Sequence, residues 1–302
     1  MQRQPRRRSW RDVPAYVAGE FDRRGWNPVA LLNRLDRLTP GRDKARKVAD
    51  GLCYGPNERQ KLDIWLPAEK RRPEGPLPVI VFFYGGGWHS GARQDYGFAA
   101  AAFADQGFVA VVPDYRLVPA VRYPTFLWDA ALALRWVRKH IEDFGGDPDR
   151  IVLAGHSAGA YMAAMLTIDG RWLEGVKLPR DLIKAAVLLS GPYDFAPFRE
   201  RRGRGAFGDW PNPAETQPIN HCHGGTPPIL LLHGSSDRIV FAKNSRNLFA
   251  RLEESGAPAT LKIYAGANHA DPMVAISRSF RGRLPVLQDI VAFLRSVLAP
   301  PT

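Results

Sequence analysis

Ile151-Val152-Leu153-Ala154-Gly155-His156-Ser157-Ala158-Gly159 is the stretch that decides how this chain folds. Its first four residues are apolar and read as a buried strand. The run Ala160-Tyr161-Met162-Ala163-Ala164-Met165-Leu166 that follows reads as a helix. Between them, G-x-S-x-G puts a serine on a sharp strand-to-helix turn, the arrangement called a nucleophile elbow. Such a turn strains the serine backbone and packs tightly, so side chains at positions 155 and 159 would block it. The hydroxyl is then raised above the sheet at a helix N-terminus, where developing negative charge is favoured.

The partners of such a serine are expected in the chain order serine, acid, histidine. The apolar run Ile229-Leu230-Leu231-Leu232 leads into His233-Gly234-Ser235-Ser236-Asp237. An acid just past the C-terminal end of a strand is where an α/β sheet places functional side chains. Of the seven histidines, only His269 comes after Asp237, in a loop behind the strand-like Leu261-Lys262-Ile263-Tyr264. Ser157, Asp237 and His269 therefore each follow a predicted strand, in the required order. Asp209 and Asp271 are the alternative acids, and chain order disfavours Asp271. An acyl-transfer site also needs donors for an oxyanion. The predicted strand Val79-Ile80-Val81-Phe82-Phe83 opens into Tyr84-Gly85-Gly86-Gly87-Trp88, whose glycines let backbone N–H groups face a substrate. The N–H of Ala158, after the serine, is expected to complete the set.

These motifs, with Pro113-Asp114-Tyr115-Arg116, resemble the α/β-hydrolases of the carboxylesterase kind, the hormone-sensitive-lipase-like and arylformamidase-like group. The resemblance runs from about Cys53 to the C-terminus. It implies an α/β-hydrolase fold, with a mostly parallel central sheet of about eight strands, helices on both faces and a small cap. It implies oxyanion donors at Gly86, Gly87 and Ala158, and no metal or organic cofactor. The family usually has histidine where this chain has Tyr84, so the tyrosine bears on how the glycine loop is braced, not on the donors.

The 302 residues are 45% hydrophobic and 24% charged, enough for one large domain with a sizeable core. Strands and helices alternate: strands at 79–83, 108–112, 151–154, 184–189, 228–232 and 261–264, helices at 96–105, 125–143, 159–168, 243–255 and 285–298. Near-continuous apolar strands in such an alternation mean a parallel sheet covered on both faces. Ahead of them, residues 51–67 read as a hairpin turning at Gly55-Pro56-Asn57, with Leu62, Ile64 and Leu66 inward and Asp63 and Trp65 outward. Residues 1–50 form a basic segment and a candidate cap element; the hydrolase domain takes 51–302. Residues 191–227 break the alternation and are expected to form a lid or pocket wall.

Cys53 and Cys222 make no disulfide scaffold, and no secretory signal is visible, so a cytoplasmic setting is expected. No apolar run is long enough for a membrane span. The net charge of +12 comes mostly from scattered arginines, with clusters at 3–11 and 199–204 and no nucleic-acid module pattern of interleaved aromatic and basic residues, which argues against nucleic acid. His221-Cys222-His223 lacks partners at zinc spacing and reads as loop. His89 and His156 read as wall or packing residues, and Asp114 with Arg116 as an ion pair.

The expected partner is a small-molecule ester; a homo-oligomer is left open. Trp88, Tyr161, Tyr193 and Trp210 are the candidate substrate-binding residues, with Trp128 and Phe195 beside them. An apolar aromatic pocket would favour short acyl chains. The leading expectation is a serine carboxylesterase for short-chain or aryl esters. An arylformamidase or amidase would use the same three residues, and a non-catalytic small-molecule binder is the rival from another class.

Overall fold

A computed structural model describes residues 28–39 and 45–299. The basic cluster at 3–11 and most of the 1–50 segment lie outside the described residues. Eight strands form one sheet: β1 Arg46–Cys53, β2 Lys61–Leu66, β3 Leu77–Phe83, β4 Val109–Pro113, β5 Gly146–His156, β6 Ile183–Leu189, β7 Ile229–Gly234 and β8 Ala259–Tyr264. Their order is β1-β2-β4-β3-β5-β6-β7-β8. β1 runs antiparallel to β2, and β2 to β4; every later pair is parallel. This is the α/β-hydrolase fold that the motifs imply.

The strand order fixes where a site can form. From β3 the chain steps one way to β4, then returns across β3 to β5. Right-handed crossovers put the connecting helices on opposite faces when the direction reverses. Helix α2 (Gly97–Asp105), between β3 and β4, therefore covers one face, with α1 (Pro28–Leu38) packed against it. Helices α3 (Thr125–His140), α4 (Ala158–Ile168) and, after β7, α7 (Lys243–Glu254) cover the other. Between α4 and α7 come the short α5 (Arg171–Gly175) and α6 (Arg201–Phe207); α8 (Asp271–Val274) and α9 (Val286–Leu298) follow β8. The loops leaving β3 and β5 diverge, and the crevice between them is the switch point where open α/β sheets bind ligands. The glycine loop at 85–87 and Ser157 both lie there.

Burial follows from composition. β3 is buried at every position but Pro78, and α4 is buried along its whole length. A helix buried all round, made largely of alanine, can sit close to β5 and β6. The turn before it is tighter still. A Cβ on Gly159 would overlap the carbonyl of Phe83 at the end of β3, and one on Gly155 would overlap the Gly159 backbone. Those two glycines are required by contact, as their spacing suggests.

Several boundaries differ from the sequence expectation. β1 starts at Arg46 rather than 51, because this edge strand is charged and bulged, with no apolar alternation to mark it. β5 starts at Gly146 rather than 151, where Leu77 pairs with Gly146 ahead of the apolar run. Asp63 is expected to face solvent but is buried, because Lys47 at 2.8 Å and Arg93 at 2.6 Å neutralise it. Between β6 and β7 the chain is irregular except for α6 and two 3-10 turns, Pro213–Thr216 and Pro218–His221. Among the described residues, no helix is long and apolar enough to cross a membrane.

Gly159→Ala is expected to lower folding stability by about 3 kcal/mol or more, because backbone on both sides must shift. Gly282→Ala, where a Cβ meets nothing within 4 Å, is expected to stay within about 0.5 kcal/mol. Urea unfolding of both variants checks the contrast; equal midpoints would refute it.

Candidate active site

Three loops meet at the crevice. Ser157 sits at the β5–α4 turn with φ 55° and ψ −119°, strained for a non-glycine residue. Its own N–H holds it there by donating to Leu189 O at 2.9 Å, at the end of β6. Ser157 Oγ lies 2.9 Å from His269 Nε2, and His269 Nδ1 lies 2.7 Å from Asp237 Oδ2. The structure thus brings together the three residues picked out by chain order. Neither alternative acid faces His269: Asp271 accepts from the Asn268 N–H, and Asp209 pairs with Arg122 on the surface.

Asp237 is buried, yet every lone pair direction finds a donor. Oδ1 accepts from the N–H groups of Ile239 and Val240, each at 2.9 Å. Oδ2 faces His269 and also His233 Nε2 at 3.1 Å. Burial works to raise its pKa. The hydrogen bonds from His233 and His269, the charge of His269 and the Ile239 N–H outweigh it and hold the carboxyl well below the usual carboxylate range. The loops carrying the acid and the histidine are laced together by Ser236 N–H to Ala267 O at 2.9 Å and Gly266 N–H to Ser235 Oγ at 2.8 Å.

His156, expected as a packing residue, has a further contact. Its Nε2 lies 3.0 Å from the His269 carbonyl, so that nitrogen carries the hydrogen and ties the histidine loop to the elbow. Burial, with the neighbouring charge of His269, pushes its pKa down to about 3. It is therefore neutral at pH 7 and adds no repulsion to a protonated His269.

The glycine loop carries positive φ at Gly86 (130°), Gly87 (60°) and Trp88 (64°). Its turn is closed by His89 and Ser90 N–H groups donating to Gly86 O, both at 3.2 Å. Among the described residues, no protein acceptor takes the N–H of Gly86, Gly87 or Ala158. The Ala158 N–H directly follows the serine, and the glycine loop comes beside it at Gly85, where an added Cβ would lie 3.2 Å from Ser157 Cβ.

Tyr84 braces this loop by its own means. Its ring stacks between Tyr96 at 5.3 Å and Tyr115 at 4.8 Å. Its hydroxyl donates to Asp114 Oδ1 at 2.7 Å and accepts from Arg59 at 2.9 Å, while Tyr115 Oη donates to its carbonyl. The expected Asp114–Arg116 pair does not form. Asp114 pairs with Arg93 at 2.6 Å, and Arg116 turns to the fully buried Asp129 of α3 at 2.7 Å. Each ion finds its counterion on another element, which spacing along the chain does not reveal.

Trp88 and Tyr161 lie edge to face at 5.3 Å and share a cluster with Phe126, Phe195 and Phe207. Both are buried, and Tyr161 Oη donates to Thr216 O at 2.8 Å. Trp210 reaches the cluster through Tyr123, at 4.8 Å. Tyr193 is buried elsewhere, beside Asn244 of α7, and has no ring contact with the cluster among the described residues. Phe207 and His233 were not singled out by the sequence. In the sequence His233 directly follows the apolar run at 229–232, and the structure extends that strand over it with no exposed position; Phe207 lies in a segment with no periodicity.

A buried neutral histidine makes stability depend on pH. The unfolded chain binds a proton on His156 near pH 6.5, and the folded chain only near pH 3. Its contribution is full above pH 6.5 and is lost as pH falls, by up to about 1.4 kcal/mol per pH unit. His156→Gln is expected to show a shallower loss of stability than wild type between pH 6.5 and 4. Parallel urea-unfolding curves for the two proteins across that range would contradict the assignment.

Comparison with known proteins agrees with the fold. The family model described as BD-FAE matches residues 62–252. Esterase LipQ of Mycobacterium tuberculosis is 32% identical over 273 residues, covering 82% of this chain and 63% of LipQ. Isoprenylcysteine alpha-carbonyl methylesterase ICME of Arabidopsis thaliana is 30% identical over 288 residues, covering 85% of this chain and 66% of ICME. The chain thus spans just under two thirds of the length of these curated relatives. The propionate-bound esterase Est2 of Thermogutta terrifontis superposes with a TM-score of 0.67 at 27% identity, over 84% of this chain and 97% of Est2. With a family model covering β2 through most of α7 and the strand order of the fold in place, the chain belongs to the BD-FAE family of α/β-hydrolases.

Proposed function

We propose that this protein is a serine carboxylesterase acting on esters with short acyl or aryl groups. The observation that carries the reading is the line of hydrogen bonds from Ser157 Oγ through His269 to Asp237, at 2.9 and 2.7 Å. In this reading His269 Nε2 takes the Ser157 proton as Oγ attacks the ester carbonyl. Asp237 keeps the hydrogen on Nδ1 and stabilises the imidazolium. The N–H groups of Gly86, Gly87 and Ala158 receive the oxyanion. His269 then returns the proton to the leaving alcohol, and a water repeats the sequence on the acyl-enzyme to free the acid.

The preference for short acyl groups is supported by packing. Trp88 and Tyr161 are buried against Phe195 and Phe207, so aromatic rings already fill the space beside the elbow. Propionate in the related Est2 and the esterase names of LipQ and ICME support ester hydrolysis and a small acyl group. Trp88, Tyr161 and Trp210 are proposed as pocket walls, and residues 191–227 as the segment that closes over them; Tyr193 is proposed only as support beneath that segment.

A nitrophenyl ester series from acetyl to palmitoyl tests this. Wild type is expected to turn over acetate and butyrate fastest, and Ser157→Ala to lose at least about 10,000-fold in kcat. Inactivity of wild type on every ester would sink the esterase reading. Activity retained by the variant would sink the role of Ser157. Faster turnover of N-formylkynurenine than of any ester would replace the substrate class with the amide rival.

A further inference from the structure

The proposed cycle leaves one buried histidine unused. His233, near the end of β7, is wholly buried. Its Nε2 lies 3.1 Å from Asp237 Oδ2 and 2.8 Å from Val240 O. Both are acceptors, so Nε2 carries the hydrogen. Its Nδ1 lies 2.7 Å from Oγ of Ser245, itself wholly buried on α7. A hydroxyl donating to Nδ1 fixes the ring in the tautomer that points its N–H at Asp237.

We propose that His233, locked by Ser245, is a positioning residue for Asp237, extending the line to Ser157–His269–Asp237–His233–Ser245; this rests on the triad proposed above. Oδ1 of Asp237 is pinned by two backbone N–H groups, which belong to the same exposed loop as the acid. Oδ2 has only His269 and His233. Without the second donor, the one fixed point for Oδ2 is the ring it is meant to orient. His233 supplies an anchor from a core strand instead, and α7 supplies the hydroxyl that holds it. Without Ser245, Nδ1 loses its donor and only the two acceptors at Nε2, Asp237 Oδ2 and Val240 O, hold the ring in place. A purely structural histidine would stabilise the fold without any dependence on Asp237.

A double-mutant cycle separates the two. Turnover of nitrophenyl acetate is measured for His233→Leu, His233→Gln and Ser245→Ala, each in wild type and in Asp237→Ala, alongside urea midpoints. Groups that orient another functional side chain typically carry about 10- to 100-fold. His233→Leu is expected to lower kcat by about that factor with KM nearly unchanged, and His233→Gln, which keeps an N–H, to recover most of it. In Asp237→Ala, the same change is expected to cost less than about 2-fold. Equal losses in both backgrounds, or wild-type kcat in His233→Leu, would overturn the proposal. If His233→Leu does not fold, Ser245→Ala decides: about a 3- to 10-fold loss that vanishes in Asp237→Ala supports it, and no loss or an equal loss in both refutes it. Loss of activity in Ser157→Ala together with a wild-type His233→Leu would count against this inference and leave the triad standing.

Discussion

The β5–α4 turn rests directly on the end of β3, and the site is arranged around that contact. Gly159 stands where any Cβ would overlap the Phe83 carbonyl, so the helix axis comes as near to the sheet as two backbones allow. Closeness there is what gives Ser157 its φ of 55°. The strain is local and costs on the order of 1–3 kcal/mol. It persists because the Ser157 N–H is bonded to Leu189 O and the helix behind it is buried throughout. The same contact sets the glycine loop beside the serine, since the Cβ that Gly85 lacks would lie 3.2 Å from Ser157 Cβ. Nucleophile and donor loop are therefore one packing unit, and neither can be moved alone.

The second requirement is electrostatic. A buried carboxylate is costly unless hydrogen bonds replace its water. Asp237 meets that condition with two amides and two histidines, contributed by its own turn, β7 and the β8–α8 loop. His156 has the opposite character. It is buried beside His269 at a ring separation of 4.9 Å, and it is harmless there only because it stays neutral. The site thus holds three histidines within contact of one carboxylate or of each other, with distinct duties set by their surroundings. His269 is the most exposed of the three, with 12% of its side chain accessible.

What the sequence disclosed and what it hid divide along one physical line. Features that depend on neighbours in the chain were legible. Ser157, Asp237 and His269 each follow an apolar strand, and strand ends are marked locally by glycine and polar residues. Six apolar strands and the helices between them were placed within a few residues. Features that depend on contacts across the fold were not. Asp63 reads as an outward residue until Arg93 arrives from the β3–α2 loop, 30 residues on. Asp114 and Arg116 invite pairing by proximity, yet each is claimed by a charge from another layer. β1 carries no apolar alternation because an edge strand needs charge more than core.

Tyr84 shows how one such contact can replace another. The resemblance implies a histidine at that position. Here the bracing is spread over a stack of three tyrosine rings and the ions Asp114, Arg59 and Arg93. Burial pushes the Tyr84 hydroxyl well above its ordinary pKa, which favours the protonated form that donates to Asp114. Arg93 in turn ties Asp114 to Asp63 on β2, which carries the support from the loop into the sheet. Rigidity at Gly86 and Gly87 is then a property of this network rather than of residue 84 alone. A single substitution in the network is shared among several bonds, whereas the glycines themselves, with φ values of 130° and 60°, have no such reserve.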